Sequence, residues 1–186
     1  MHQNYTTPNL TDPIRRSLKR VRGLQIPRFT HEPQLFAGQD TRLIVGYISG
    51  AGFQKTPGTS ASRGVFQFHD RTRFRIQCVG LRADVRANDL RPNITNNCEQ
   101  FFDFSRFESQ HEELGRQLNA LGWHILVDMS GLSGHHYVES LALKPAPVVV
   151  TWLEYPGRFV VTFVMQQLLA TDSCAVLVRA LALHLF

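Results

Sequence analysis

The 186-residue sequence contains only three cysteines, and no two of them stand close together. Cys78, Cys98 and Cys174 therefore lack the close pairing that zinc sites and redox motifs use. Their odd number favours free thiols in a reducing compartment. We accordingly expect no zinc site, and nothing else in the sequence points to a bound metal or cofactor.

An apolar run long enough to span a membrane is also missing. A transmembrane helix needs about 20 consecutive apolar residues, whereas the most apolar stretch, 159–186, is interrupted by glutamines, an aspartate and an arginine. The first residues are polar and do not resemble a secretory signal. The hydrophobic content of 43% and the charged content of 19% are typical of soluble globular proteins. We expect an intracellular protein, in the cytoplasm or the nucleus, without a membrane partner.

Positive charge is concentrated at the start of the chain. Residues 1–42 hold seven lysines and arginines against three acidic residues, and this difference of +4 is most of the net charge of +5. We interpret residues 1–40 as a basic, largely irregular leader that is solvated ahead of the folded region. Contact with nucleic acid or another anionic surface is the less favoured alternative.

Familiar catalytic and phosphate-binding motifs are missing as well. The glycines of the turn at 49–60 do not match G-x-G-x-x-G, and no Gly-Lys-Ser/Thr closes a P-loop there. The turn is either a backbone phosphate site or, as we prefer, a plain strand-to-helix connection. There is no G-x-S-x-G elbow, and Glu154 has no obvious second acid with which to form a two-carboxylate hydrolase. No catalytic residue is assigned on these grounds.

Apolar patterning nevertheless predicts an ordered α/β fold. Apolar runs predict strands at 43–48, 73–81, 101–104, 124–129 and 148–153, and the alternation in the second one places it nearer an edge. Helical spacing predicts helices at about 60–69, 106–121 and 135–144, the second beginning at a Ser105 cap and ending at Gly122. Residues 82–97 should form a loop. The order of elements indicates a mostly parallel, Rossmann-like sheet with flanking helices at 41–172, followed by an apolar tail of uncertain structure at 173–186.

Two polar positions in this region are open to more than one interpretation. Asp128 ends the fourth strand, where it could meet a ligand, but capping of the following Ser130-Gly131 turn is favoured. His135 and His136 would point about 100° apart on a helix and make a poor metal pair. We therefore expect the two histidines to be solvated.

Five phrases of the sequence carry a resemblance to a known family. They are Val45-Gly46-Tyr47-Ile48-Ser49, Gly52-Phe53-Gln54-Lys55-Thr56-Pro57, His124-Ile125-Leu126-Val127-Asp128, Leu141-Ala142-Leu143-Lys144-Pro145-Ala146-Pro147 and Trp152-Leu153-Glu154-Tyr155-Pro156-Gly157. In this order, and over about 41–172, they resemble the catalytic region of the protein O-GlcNAc transferase family. The block from Pro-Ala-Pro to Tyr-Pro-Gly is its most specific part.

That resemblance implies the N-terminal catalytic lobe of a GT-B glycosyltransferase, with UDP-GlcNAc as donor and protein serine or threonine hydroxyls as acceptors. It also implies a donor and acceptor cleft formed by Thr56, Pro57, Thr59, Leu153, Glu154, Tyr155, Pro156 and Gly157. Thr56 takes the position of the family's loop histidine, and Glu154 that of a glycine beside the donor sugar. Since only the first lobe is resembled, we expect a divergent or partial transferase, inactive as an isolated lobe and completed by a second lobe or partner chain. A non-catalytic pseudoenzyme or protein-interaction lobe is the alternative.

Overall fold

The computed structural model describes residues 19–31, 40–54, 64–83, 90–130 and 137–152. Within these ranges, five strands form one sheet in which every neighbouring pair is parallel. The strands are β1 (Leu43–Ser49), β2 (Phe74–Gly80), β3 (Gln100–Asp103), β4 (Ile125–Asp128) and β5 (Val148–Thr151), in the order β3-β2-β1-β4-β5. The predicted α/β class with a parallel, Rossmann-like sheet is confirmed.

The central strand β1 has a continuous apolar run, which suits burial on both faces of the sheet. Five of its seven residues are buried. The chain adds β2 and β3 on one side of β1 and then crosses to add β4 and β5 on the other. The reversal of direction makes the carboxyl ends of β1 and β4 a topological switch point, the usual place for a ligand in an open α/β sheet.

β2 lies nearer an edge than the central β1, as predicted, but it is still an interior strand. It pairs with β1 on one side and with β3 on the other, and six of its seven residues are buried. Gln77 contributed to the misleading alternation because it is polar, yet it is buried and bonded to the side chains of Trp123 and Gln100. The edge strand next to it is β3, which has two exposed residues out of four.

Within the described ranges, three short α-helices accompany the sheet, α1 (Leu90–Thr95), α2 (His111–Ala120) and α3 (Val138–Ala142), and residues 19–22 are also helical. The helix α1 occupies part of the region predicted as a loop. Pro92 misled that prediction, since proline disrupts a helix interior but is tolerated in the first turn, where it stands here. The centre of the predicted helix at 135–144 is confirmed by α3.

The other helix predictions need correction. The helix expected at 106–121 is divided into a 3-10 turn (Ser105–Phe107) and α2, and Ser105 makes no side-chain cap because it lies within the 3-10 turn. Gly122 follows α2 with a φ of +65°, as expected for a glycine that ends a helix. Of the helix expected at 60–69, the described part contains a 3-10 turn at Val65–Gln67.

Side chains alternate between the two faces of the sheet, and each face has its own core. On one face, strand residues Val45, Tyr47, Ile76 and Val127 pack with Phe53, Phe66 and Ile94. On the other face, strand residues Ile48, Val79 and Leu126 pack with Leu114 and Leu118 of α2 and with Tyr137 and Leu141. The sheet is therefore covered on both faces and forms the middle of three layers.

Two of the cysteines are paired, and the expectation of free thiols is wrong for them. Cys78 on β2 and Cys98 ahead of β3 form a disulfide, with Cα atoms 6.0 Å apart. Their sequence separation of 20 hid this proximity, because the connection through α1 returns the chain to the side of β2. Cys174 lies outside the described residues.

The carboxyl-terminal end of the predicted lobe lies outside the described residues. Residues 153–186, which include the predicted boundary at 172 and the apolar tail, lie outside them. The boundary at 40 also stays a prediction, although residues 19–31 are seen to contact α2 and α3. Among the helices in the described ranges, none has the length and apolar character that crossing a membrane requires.

Candidate functional site

Three loops leave the sheet side by side at the switch point between β1 and β4. The strand ends are in register, since Ile48 is paired with Asp128 and Asp128 with Thr151. The chain therefore leaves β1, β4 and β5 at the same edge of the sheet. This carboxyl edge is the candidate site that the topology selects.

The turn after β1 is attached directly to the end of β4. The Gly50 N–H donates to Ser130 Oγ at 2.8 Å, and the Phe53 N–H donates to Ser49 Oγ at 3.1 Å. Both serines are buried. Each hydroxyl satisfies a backbone donor that would otherwise be costly to bury, so the edge is held in one arrangement.

Two consecutive residues of this turn adopt the left-handed conformation, Gly52 with φ +66° and Phe53 with φ +61°. Glycine accepts that conformation without strain, whereas phenylalanine does not. The fully buried Phe53 ring packs edge-on against Phe66 and Phe101, at centroid distances of 6.1 and 6.2 Å. Burial of the ring compensates for the backbone strain and directs the chain into the loop that follows.

The same turn packs against the loop that follows β2. A side chain at Gly52 would come within 2.5 Å of the Arg82 carbonyl oxygen, so only glycine allows this approach. Gln54 Nε2 donates to the Ala83 carbonyl at 3.1 Å. The guanidinium of Arg91, which is only 7% exposed, donates to the Arg82 carbonyl at 3.1 Å and to Asp103 Oδ2 at 3.3 Å. One buried arginine thus connects the ends of β2 and β3 beneath the candidate site.

Asp128 is a structural anchor of the edge. Its side chain is fully buried, and Oδ1 accepts the Ser130 N–H at 2.9 Å, which confirms the predicted turn cap. The Tyr137 hydroxyl lies 2.6 Å from the same oxygen, and Thr151 Oγ1 donates to Oδ2 at 3.3 Å. Because the carboxylate has no exposed surface, the structure supports the turn cap rather than contact with a ligand, the alternative interpretation.

Tyr137 is a residue that the sequence did not single out. Its hydroxyl lies between Asp128 Oδ1 and the Ile48 carbonyl oxygen, which is 2.7 Å away. Burial, reinforced by the adjacent Asp128, raises the pKa of Tyr137 well above its usual value, so the hydroxyl keeps its proton and remains a donor. A tyrosine directly ahead of a short apolar helix was the available signal, but it did not reveal that β1 and β4 end beneath it.

A second buried pair lies within one face of the sheet. Tyr47 and His69 are joined by a hydrogen bond of 2.8 Å between the hydroxyl and Nε2. Burial, with the charge of Arg71 nearby, lowers the pKa of His69 to about 4. Burial also raises the pKa of Tyr47. Both groups are therefore neutral at pH 7, and the pair is part of the core.

The residues predicted to form the cleft all lie outside the described residues. Thr56, Pro57 and Thr59 fall in 55–63, and Leu153, Glu154, Tyr155, Pro156 and Gly157 fall after 152. His135 and His136 are also outside. The structure does describe the residues that lead into the two cleft segments. Gln54 follows β1, and the Trp152 N–H, after β5, donates to the Asp128 carbonyl at 2.7 Å. Within the described ranges, no three His, Cys, Asp or Glu side chains are grouped as metal ligands.

Comparison with known proteins identifies the family. The sequence model of glycosyl transferase family 41 matches residues 15–181. The chain belongs to glycosyl transferase family 41. The family 41 match extends beyond the predicted lobe on both sides and includes part of the basic leader.

Individual members of the family are similar over most of this chain. The UDP-N-acetylglucosamine–peptide N-acetylglucosaminyltransferase of Caenorhabditis elegans is 30% identical over 133 residues, which are 72% of this chain and 11% of that protein. The probable UDP-N-acetylglucosamine–peptide N-acetylglucosaminyltransferase SEC of Arabidopsis thaliana is 29% identical over 151 residues, which are 80% of this chain and 15% of that protein. The chain therefore spans only a small part of the curated relatives it matches.

A solved structure shows the same arrangement. A mutant of the O-GlcNAc transferase of Thermobaculum terrenum superposes with a TM-score of 0.54 and 26% sequence identity. The similarity covers 78% of this family 41 chain and 28% of that structure. The resemblance inferred from five sequence phrases is thus confirmed at the level of the family and of the fold.

Proposed function

We propose that this family 41 region forms the first-lobe wall of a protein O-GlcNAc transferase site, with UDP-GlcNAc as donor and a protein serine or threonine as acceptor. The observation that carries the proposal is the shared edge of β1, β4 and β5. Both segments that resemble the family's donor and acceptor cleft begin there, one after Gln54 and the other after Trp152. The names of the curated relatives supply the donor and the peptide acceptor.

The reaction would be a single displacement at the anomeric carbon of the donor sugar. The acceptor hydroxyl oxygen forms the new bond to this carbon, the bond to the diphosphate oxygen breaks, and the hydroxyl proton leaves to a base. The main demand on the protein is stabilisation of the negative charge that develops on the UDP leaving group. The region described here contributes a rigid edge, in which Asp128, Ser130 and Tyr137 hold the loop origins in place.

Two residues set this chain apart from the family pattern and lead us to propose that the 186 residues alone do not catalyse transfer. Thr56 replaces the loop histidine and removes a titratable group. Glu154 replaces the glycine beside the donor sugar and would bring a carboxylate toward the donor phosphates. At separations of several ångströms, such like charges repel by about 1–3 kcal/mol, and salt screens the effect.

The donor site can be tested with UDP-GlcNAc and the 186-residue chain. We expect weak binding by saturation-transfer NMR and calorimetry, and no transfer of radiolabelled GlcNAc to a serine-containing peptide. Glu154→Gly should bind the donor roughly tenfold more tightly, with a gain that shrinks as salt is added. The matched control is Glu99→Gly, which removes an exposed glutamate directly ahead of β3, at the opposite, amino edge of the sheet, and should leave affinity unchanged.

The outcomes separate the two parts of the proposal. Absence of donor binding in both the parent and Glu154→Gly would contradict the donor site. Transfer of GlcNAc by the parent would contradict the proposed inactivity.

The second candidate is a non-catalytic pseudoenzyme or protein-interaction lobe. The same two replacements, at Thr56 and Glu154, favour it, because both remove features of the family's cleft while the scaffold is retained. Self-association or partner binding in sedimentation, together with no affinity for nucleotide in calorimetry, would support it over the transferase.

A further inference from the structure

The end of the basic leader is attached to the helices that cover one face of the sheet. Residues 19–31, which we call the strap, make hydrogen bonds to α2 and to the residues after α3. These bonds join Gln25 N–H to Glu112 Oε1 (2.6 Å), Phe29 N–H to the Leu143 carbonyl (2.8 Å) and His31 Nε2 to the Lys144 carbonyl (2.8 Å). The last two occupy carbonyls at the end of α3, where a helix has no internal partners for them. The strap therefore fixes the residues that follow α3 by hydrogen-bonding to their carbonyl groups.

The strap also forms an ion pair with α3. Arg20 Nε lies 2.6 Å from Glu139 Oε1, whereas His111 Nδ1 on α2 lies 3.9 Å from Glu139 Oε2. The Arg20 side chain is half exposed, and the Glu139 side chain has no exposed surface. A fully buried carboxylate is strongly destabilising unless it is paired, and Arg20 brings a permanent cation to it from a segment outside the helix pair. The position of α3 and the docking of the strap are thus tied to each other.

The helix α3 also reaches the candidate site. Tyr137 stands at its start, two residues before Glu139, and its hydroxyl is 2.6 Å from Asp128 Oδ1 and 2.7 Å from the Ile48 carbonyl. Tyr137 directly precedes this five-residue helix, so a shift of Glu139 would be passed to Tyr137 through two peptide bonds. Three contacts therefore link the strap to the ends of β1 and β4: Arg20 with Glu139, and the Tyr137 hydroxyl with Asp128 and with the Ile48 carbonyl.

We propose that Arg20 is a positioning residue for the carboxyl edge: by pairing with Glu139 it sets α3, and through Tyr137 it sets the end of β4. The effect of Arg20 on donor binding rests on the proposed function, whereas its effect on the position of α3 and β4 does not. The basic leader then acts as part of the scaffold of the site.

Amide hydrogen exchange measured on the whole chain tests this role without any ligand. Arg20→Gln should speed exchange in 125–130 and 137–142 by about tenfold or more, while exchange in β2 stays near that of the parent. Arg20→Lys, which keeps the charge, should restore much of the protection. The matched control is Arg22→Gln, an exposed arginine two residues away that should leave both segments unchanged.

Equal exchange in the parent and in Arg20→Gln would overturn the proposal, as would a uniform increase across all strands, since that reports only a loss of global stability. Donor binding is measured separately on the same variants. If the parent binds no UDP-GlcNAc, the proposed transferase site fails, while the exchange result still decides the role of Arg20.

Discussion

Gly46 is the position where one added methyl group should have the largest effect on this fold. It lies in the centre of β1, paired with Gln77 on β2 and with Leu126 on β4. The indole of Trp123 lies flat against it, so that a Cβ at Gly46 would come closer than 3.0 Å to three of its ring atoms, Cε3, Cδ2 and Cε2. Gly46→Ala therefore forces the ring to move or the strand to shift.

The size of the effect follows from what holds the ring in place. Trp123 is buried in the core against α2 and α3, and its Nε1 donates to Gln77 Oε1 at 2.5 Å. Overpacking of this kind destabilises by about 1–3 kcal/mol. Displacement of the indole would also leave the buried Gln77 with one partner fewer, which adds about 1 kcal/mol or more. We expect Gly46→Ala to lower the free energy of unfolding by about 3 kcal/mol, or the melting temperature by about 6–12 °C in a chain of this size.

Urea unfolding followed by far-ultraviolet circular dichroism measures this change without relying on tryptophan emission. Gly122→Ala is the control, because Gly122 has a φ of +65° but a Cβ added there would meet nothing within 4 Å, so only backbone strain of about 1 kcal/mol is expected. In a Trp123→Leu background, Gly46→Ala should cause little further loss, since the colliding ring is gone. A loss below about 1 kcal/mol in the parent background, or an equal loss in both backgrounds, would refute the reasoning.

Two further predictions concern the core on the other face. Burial lowers the pKa of His69 to about 4 from 6.5, so between these pH values the unfolded chain binds a proton that the folded chain does not, and the free energy of unfolding should fall as the pH drops from about 6.5 to about 4. His69→Gln, which can still bond to Tyr47, should flatten this part of the profile. An unchanged slope would show that His69 is not held neutral. The Cys78–Cys98 disulfide closes a loop over 20 residues, so reduction or Cys78→Ser should lower the free energy of unfolding by about 3 kcal/mol, as measured from urea midpoints with and without reductant. Cys174→Ser is the control and should keep the sensitivity to reductant, whereas equal midpoints in both conditions for the parent would argue against the disulfide.

Patterns within single elements were sufficient for much of the fold. The continuous apolar run at 43–48 predicts a strand buried on both faces, and β1 is the centre of the sheet. The Asp128 turn cap was also predictable, because it joins residues two apart in sequence. By contrast, α1 was missed because its polar, proline-containing sequence lacks an apolar stripe, and the alternation of β2 did not reveal that Gln77 is buried.

The candidate site shows a similar division. The sequence predicted which segments approach the carboxyl edge, since the loops that resemble the family's cleft follow predicted strands. It did not predict Tyr137, Arg91 or Arg20, whose partners are distant in sequence and are brought together by the crossing of the chain from one side of β1 to the other. Polar residues of this kind look like surface residues until their partners are known.

By itself, the sequence determined the α/β class, the parallel sheet and the family, because each depends on local apolar periodicity or on short phrases of residues read in order. Only the tertiary structure decided which strand is central, which cysteines are bonded, and how Asp128, Tyr137 and Glu139 link the leader to the end of β4. The physical reason is that burial and pairing of polar groups depend on neighbours in space. Such neighbours are fixed by the strand order, which no local pattern encodes.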